Sequence, residues 1–468
     1  MEPVGESGLW NEDLAPTPVA ARTWTVWHVA SLWVGMAVCI PTYLMAADMV
    51  KAGMSVRQSI FTVALGNLIV LVPMVLNAHP GTAYGIPFPV FARASFGVRG
   101  ANLAAIARAL VACGWFGIQT WIGSGSLYAI LTVAGLKGGS PLVGLGIDPL
   151  QLACFLAFWV VNVWFIWRGM ESIKWLQSLA APFLLVGGTA LLVWAWSSHG
   201  AGDLLAKPGL EGAAFWRVFG PFLTGIVVFW GTLALNIPDF SRFCRSQRDQ
   251  VLGQSIALPT TMTYFAFIGA AVSSATGTWD PSTLVASFSS PVVVVVGLLG
   301  IGIATLSTNI AANVVSPAND FSNLAPRRIS YKLGGYITAG IGVVIMPWHL
   351  TNNYVFGWLG GYGALLGPIC GILVFDYWWL RKRKLVVEDL YRRGGIYEYA
   401  GGWNWAAVVA TVLGVLPNLP GFLHAVGVVS SVPAIFDDLY GFSWFIGFAV
   451  GTFVYALMMA RSRSRTVR

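Results

Sequence analysis

Two segments of the chain place a tryptophan eight residues ahead of a proline. The first is Leu32-Trp33-Val34-Gly35-Met36-Ala37-Val38-Cys39-Ile40-Pro41, and the second is Phe229-Trp230-Gly231-Thr232-Leu233-Ala234-Leu235-Asn236-Ile237-Pro238. In both, Ile precedes the Pro and a Gly follows the Trp within two positions. Proline removes a helix donor and clashes with the carbonyl four residues back, and glycine weakens the turn it occupies. Both segments are therefore expected to interrupt a helix and to free backbone N–H and C=O groups for a small molecule or an ion. The plain alternative is chance, since Pro and Gly are frequent in apolar spanning helices.

Two further stretches carry polar side chains inside apolar runs. In Gly114-Trp115-Phe116-Gly117-Ile118-Gln119-Thr120-Trp121, Trp115 and Gln119 are four apart and share a helix face. An indole beside an amide can stack on a flat ring and hydrogen-bond its edge. The same pair would equally serve as space filler and interhelix bridge. In Ala304-Thr305-Leu306-Ser307-Thr308-Asn309-Ile310-Ala311-Ala312-Asn313, the spacing sets the carbonyl of Ala304 and the hydroxyls of Ser307 and Thr308 on one face. Hard cations take oxygen ligands, and these could combine with carbonyls freed near Gly35 and Val38. Ser/Thr packing in a small-residue helix interface is the alternative. Asn313 follows one turn later.

The elements that must carry these residues follow from composition. Charged residues make up 10% of the 468 and apolar ones 56%, against about 25% and roughly 45–50% in soluble proteins. No Asp, Glu, Lys or Arg occurs from Pro281 to Asn319, from Leu333 to Phe375, or from Tyr399 to Phe436. Each stretch exceeds the roughly 20 residues needed to cross a bilayer, and none alternates as a barrel strand would. The chain is expected to be an all-α membrane protein with twelve spans: 28–50, 58–77, 104–133, 150–168, 174–196, 218–238, 254–276, 291–316, 333–350, 354–380, 403–422 and 441–460. Pro347-Trp348-His349 with Thr351-Asn352-Asn353 divides one long run, and Pro417-Asn418-Leu419-Pro420 is expected to end span eleven.

Twelve spans put both termini on one side. Of the 27 Lys and Arg residues, 22 fall on that side and five (Lys51, Arg57, Lys137, Lys207, Arg217) on the other, so both termini are expected in the cytoplasm. The net charge of +8 is thus a topology signal, with no basic soluble module suited to nucleic acid. Residues 1–27 read as a cytoplasmic tail whose polar first 23 are expected to be loose; no basic n-region marks a cleaved leader. Residues 461–468 form the other tail. The five cysteines (Cys39, Cys113, Cys154, Cys244, Cys370) fall singly and read as small buried hydrophobes.

The matched breaks lie five spans apart. Five is odd, so the second copy enters the membrane from the opposite side, as in transporters of two inverted five-helix repeats. The repeats would be 28–196 and 218–380, with 403–460 as two added helices. No charged side chain falls mid-span, and His28, His79, His349 and His424 lie near span ends. A proton relay usually needs an intramembrane titratable group; its absence favours Na+ over H+ as coupling ion and a neutral substrate. No catalytic cluster, cofactor motif or channel filter loop is present, so neither an enzyme nor a channel is expected.

Several stretches together resemble the nucleobase:cation symporter-1 family. They are Asn11-Glu12-Asp13-Leu14 with Arg22-Thr23-Trp24; Ala30 to Tyr43; His79-Pro80-Gly81-Thr82 through Gly85-Ile86-Pro87-Phe88-Pro89-Val90 to Arg93-Ala94-Ser95-Phe96-Gly97; and Trp115 to Thr120. They continue with Met170-Glu171-Ser172-Ile173-Lys174; Asn236 to Phe243; Ser307-Thr308-Asn309, Ala311-Ala312-Asn313 and Ser316-Pro317-Ala318; Asp376-Tyr377-Trp378; and Asp389-Leu390-Tyr391. The likeness spans nearly the whole chain and is greatest to bacterial allantoin permeases and a sodium-coupled hydantoin transporter. It implies a LeuT-like fold, a plasma or inner membrane location, function as a monomer, and cation symport of a flat cyclic amide. Allantoin or hydantoin is implied first; uracil, cytosine or a purine, with proton coupling open, is second. By the resemblance Trp115 and Trp230 would stack on the two ring faces, with Gln119 and Asn313 on its amide edges. Gly35, Val38, Ala304, Ser307 and Thr308 match sodium-site positions. Cys39 stands where those relatives carry Gln or Asn near the ring, a poor hydrogen-bonding replacement.

Overall fold

The computed structural model describes residues 8–200, 205, 208–349 and 354–466. The first seven residues, Lys207, the Thr351-Asn352-Asn353 break and Arg468 lie outside the described residues, as do the side chains of Met170 to Lys174 and of Arg461, Arg463 and Arg465. Among the described residues the chain is helical with no strand.

The first half comprises α1 (Val26–Ala37), α2 (Ile40–Lys51), α3 (Val56–Tyr84), the short α4 (Phe88–Phe96), α5 (Ala101–Val133), α6 (Pro149–Arg168) and α7 (Met170–His199). The second half opens with α8 (Gly212–Phe229), α9 (Gly231–Asn236) and α10 (Pro238–Ser241), then α11 (Gln247–Thr276) and α12 (Pro281–Ala286). It continues through α13 (Pro291–Asn313), α14 (Val315–Leu324), α15 (Tyr331–Val344) and α16 (Tyr354–Phe375). The last elements are α17 (Trp405–Val415), α18 (Leu419–Ala425), α19 (Ala434–Gly441) and α20 (Ser443–Thr466). Nine helices or joined helices among the described residues are long and apolar enough to span a membrane, ten with the bent pair α1–α2. Helices α7 and α15 occupy the other two expected positions, although α15 has only 14 residues. The chain is a multi-pass membrane protein.

Both expected breaks are present, in unequal form. Helices α1 and α2 meet at 54° across Val38 and Cys39. In the second copy the interruptions are single residues, Trp230 and Ile237. In neither copy does the proline stop a helix. Pro41 and Pro238 stand in the first turn of the segment that resumes, where no backbone donor is needed. Helix α11 braces the first break: a Cβ on Gly269 would lie 2.6 Å from the carbonyl oxygen of Tyr43, so only glycine permits that approach.

Three boundaries differ from the sequence reading. Span eight, expected to end at 316, continues through α14 to Leu324 because its Ser, Asn and Asp side chains face protein and are buried. Pro417-Asn418-Leu419-Pro420 does not end span eleven; a 3₁₀ turn at Leu416–Asn418 hands the chain on to α18, and Asn418 Nδ2 donates to Ser443 O at 3.2 Å. The polar N-terminal segment is not loose from residue 8 onward. Asn11 donates to Pro326 O at 3.1 Å, Asp13 accepts from Tyr331 N at 2.8 Å, and Leu14 O accepts from Tyr391 Oη at 2.7 Å. Arg22 donates to the carbonyls of Thr17 and Thr82, each at 3.0 Å. These partners are loop and helix-end groups, which hydropathy does not reveal.

The end of α16 carries a buried ion pair. Asp376, 1% exposed, accepts from Arg381 Nε at 2.5 Å, Ser95 Oγ at 3.0 Å and Tyr455 Oη at 2.8 Å. Removing one member of a buried pair strands the other charge, typically at about 3–5 kcal/mol. Asp376→Ala is therefore expected to lose about 3 kcal/mol or more and to unfold at a clearly lower temperature in detergent, with Asp376→Asn intermediate. A thermal midpoint equal to wild type would contradict this role.

Candidate functional site

The break in span one sits against α13. Cys39 caps α2 from extended backbone, and its Sγ lies 3.3 Å from Thr42 Oγ1. Ending α1 at Ala37 releases carbonyls from the helical ladder. One is met across the helix gap: Thr308 Oγ1 donates to Gly35 O at 3.2 Å, with Met36 O at 3.5 Å. Val38 and Ala304 belong to one buried cluster, together with Tyr43 and Ile268. Ser307 is wholly buried on α13 beside Thr308. The structure thus brings Gly35, Val38, Ala304 and Thr308 to one place. The donors there are neutral oxygens, the chemistry that suits Na+.

The second cluster is aromatic and amide. Trp115 on α5 meets the edge of Phe229 with ring centroids 5.5 Å apart and planes at 88°. Its Nε1 donates to Tyr362 Oη at 3.1 Å, and Tyr362 in turn donates to Val228 O at 3.3 Å. Trp230 lies one ring further on. It packs at 77° on Phe229 and on Trp33, and its Nε1 contacts Met262 Sδ. Among the described residues Phe229 packs directly on Trp115, and Trp230 lies beyond it on the other side of Phe229. Gln119 is 2% exposed, and its Oε1 has no hydrogen-bond partner among the described residues. Asn313 Nδ2 donates to Asn309 Oδ1 at 3.0 Å. Asn309 Nδ2 lies 3.2 Å from Phe116 O, 3.2 Å from Thr120 Oγ1 and 3.1 Å from Asn162 Oδ1.

Tyr362, Phe229 and Asn309 escaped the sequence reading as site residues. Tyr362 interrupts a run of glycines, Gly360-Gly361-Tyr362-Gly363, inside an uncharged span, which was the available signal. Asn309 stood within the polar run but off the face chosen there.

Among the described residues no charge falls mid-span, but wholly or nearly wholly buried charges lie near the span ends. Arg108 on α5 is wholly buried; it donates to Asn236 Oδ1 at 3.1 Å and to Ala312 O at 2.9 Å. Asp239, also buried, accepts from Phe88 N at 3.0 Å, and Asp320 on α14 is 1% exposed. Asn236 also donates to Ser316 Oγ. These charges sit where spans were drawn too short or near their ends, and protein rather than lipid surrounds them. The argument for Na+ from an absence of titratable groups is weakened by them; the oxygen set at the first break remains an expectation.

Comparison with known proteins decides the family. A family profile described as "Permease for cytosine/purines, uracil, thiamine, allantoin" matches residues 16–447. The chain belongs to the nucleobase-cation-symport-1 family. It is 43% identical to a purine-uracil permease of Arabidopsis thaliana over 471 residues, covering 97% of this chain and 78% of that one. It is 39% identical to the allantoin permease of Bacillus subtilis (strain 168), with 96% and 93% covered. In three dimensions it superposes on a nucleobase-cation-symport-1 family transporter solved closed with bromovinylhydantoin bound, at a TM-score of 0.81, 26% identity, and 98% and 96% coverage. A Na+-coupled sialic acid symporter shares the fold at 13% identity and a TM-score of 0.56, with 94% and 91% covered. This family member is a LeuT-like transporter of small molecules, and its relatives are permeases, not enzymes.

Asn309 holds Asn313 in place through a four-membered amide and hydroxyl network. Asn309→Ala leaves buried partners unmet, a cost of about 1–3 kcal/mol. The variant is expected to melt lower in detergent and, by freeing Asn313, to lose affinity for any ligand that wild type binds. A variant with wild-type melting and affinity would show that the network is idle.

Proposed function

We propose that this transporter imports a neutral, planar cyclic amide together with a cation by alternating access. Allantoin or hydantoin is the first choice of substrate. The observation that carries the reading is Gln119, whose buried Oε1 lacks a partner among the described residues while neighbouring amides are bonded. Such an acceptor suits the N–H of a ring amide, and Trp115 on the same helix face supplies a stacking surface. Asn313 would bond a second edge and Trp230 would bound the far side of the ring. Uracil, cytosine or a purine is the second reading, favoured by the purine-uracil activity named for the Arabidopsis relative. Cys39 bears on that choice, because its thiol replaces a stronger hydrogen-bonding amide.

For coupling, Na+ at Gly35, Val38, Ala304, Ser307 and Thr308 is favoured over H+, on the strength of neutral oxygens gathered at the break. An ion there would hold α1 and α13 together, so cation and substrate would each raise the other's affinity. Two inverted units, 28–196 and 218–380, would rock about these breaks, with both termini cytoplasmic and the monomer as working unit.

Three measurements check the proposal. In a thermal-shift panel of hydantoins, ureides, purines and pyrimidines, at least one ring amide is expected to raise the melting temperature, more so with Na+. Trp115→Ala, Gln119→Ala and Asn313→Ala should each abolish or strongly weaken its uptake; normal transport by all three would refute the site. In proteoliposomes a Na+ gradient is expected to drive uptake, and Ser307→Ala with Thr308→Ala to abolish it. Equal uptake with and without Na+ would move the coupling to protons or to none.

A further inference from the structure

Tyr362 lies on α16, the tenth span, and touches both halves of the site. It is 4% exposed. A phenolic hydroxyl can accept one hydrogen bond while donating another, and Tyr362 does both. It accepts from Trp115 Nε1 at 3.1 Å and donates to Val228 O at 3.3 Å. Val228 is in the last turn of α8, and the N–H of Trp230, the residue at the interruption, also turns back to its carbonyl. Helix α16 comes close enough because Gly363 follows Tyr362: a Cβ at that glycine would stand 2.5 Å from Val228 Cγ2.

The geometry points to Tyr362 as the positioning residue that sets the plane of Trp115 and ties it to the break in span six. The inference rests on Trp115 being the stacking platform of the proposed function, and adds what holds that platform. An indole stacks on a ligand only while its plane is fixed. Phe229 meets Trp115 edge-on and limits its tilt, and the bond from Nε1 to Tyr362 Oη favours one rotation about the side chain. Through the same hydroxyl, a shift of Trp115 on ligand binding is felt at the carbonyl where α8 ends. The simpler role, a buried tyrosine joining helices, predicts a stability change and no dependence on the Trp115 N–H.

A double-mutant cycle separates these roles. Trp115→Phe keeps an aromatic face without the N–H, and Tyr362→Phe keeps the ring without the hydroxyl. The probes are radiolabelled allantoin, hydantoin and uracil, with dissociation constants measured on purified protein. For a probe that wild type binds, Tyr362→Phe is expected to weaken binding about fivefold to tenfold, the worth of one buried neutral hydrogen bond. The double variant should bind within about twofold of Trp115→Phe alone. Wild-type affinity in Tyr362→Phe, or single effects that multiply in the double variant, would overturn the inference. Unchanged binding in Trp115→Phe would likewise overturn the inference, since the N–H would then set nothing, whereas no probe bound by wild type would overturn the proposed site and this role with it. A readout that needs no substitution at Tyr362 is the indole N–H resonance of Trp115, assigned by its loss in Trp115→Phe. Slow exchange with D2O is expected, and fast exchange would refute the bond.

Discussion

A helix that stops inside a bilayer leaves carbonyls that bulk water does not reach, and each one unmet costs several kcal/mol. This chain stops two helices there, and much of its interior is arranged to meet the consequence. Gly35 O at the first break receives the hydroxyl of Thr308, and Val228 O at the second receives the hydroxyl of Tyr362. Ala234 O, just past the second break, receives Asn77 Nδ2 at 2.8 Å. The donors come from α13, α16 and α3, so each interruption is pinned by a helix distant in sequence. A side-chain hydroxyl is a partner that a ligand or ion can replace, since it holds the carbonyl by one bond and can turn away. The same bonds that make the breaks tolerable thus make them usable.

Away from the breaks, further buried polar groups are held by protein partners. Arg93, wholly buried, donates to Asn323 Oδ1 and to Leu390 O. The Asp376 and Arg381 pair joins α16 to α4 and α20 through Ser95 and Tyr455. The N-terminal segment crosses the same end and is bonded to the loop after α14, to α3 and to Tyr391. Charge at this end costs less than it would in lipid, because each group is enclosed by protein carbonyls and amides. The broken helices thus lie apart from a dense set of buried polar contacts at the end of the molecule that carries the N-terminal segment.

The two breaks share a sequence pattern yet differ in shape. The first swings by 54° while the second is interrupted at single residues. The Trp and Pro spacing is the same in both, so the difference arises from what surrounds them. Around the first, Gly269 of α11 lets the chain run close to Tyr43. Around the second, Trp33, Phe229 and Met262 enclose Trp230.

By itself the sequence determined the solvent, the helical class, the approximate positions of most apolar spans, and the two breaks with their Trp and Pro marks. These properties are local, because hydropathy and backbone chemistry act within a segment. It also singled out Trp115, Gln119, Thr308 and Asn313, since polar groups in an apolar run need a partner or a purpose. Only the tertiary structure decided that Phe229 packs on Trp115, that Asn309 bonds Thr120 and Asn162, that Tyr362 closes the chain to Val228, and that Arg108, Asp239 and Asp320 are buried. Those facts depend on which helices lie side by side. A residue's neighbour across a helix gap leaves no mark in its own segment, so polar side chains buried against protein read in sequence as the ends of spans.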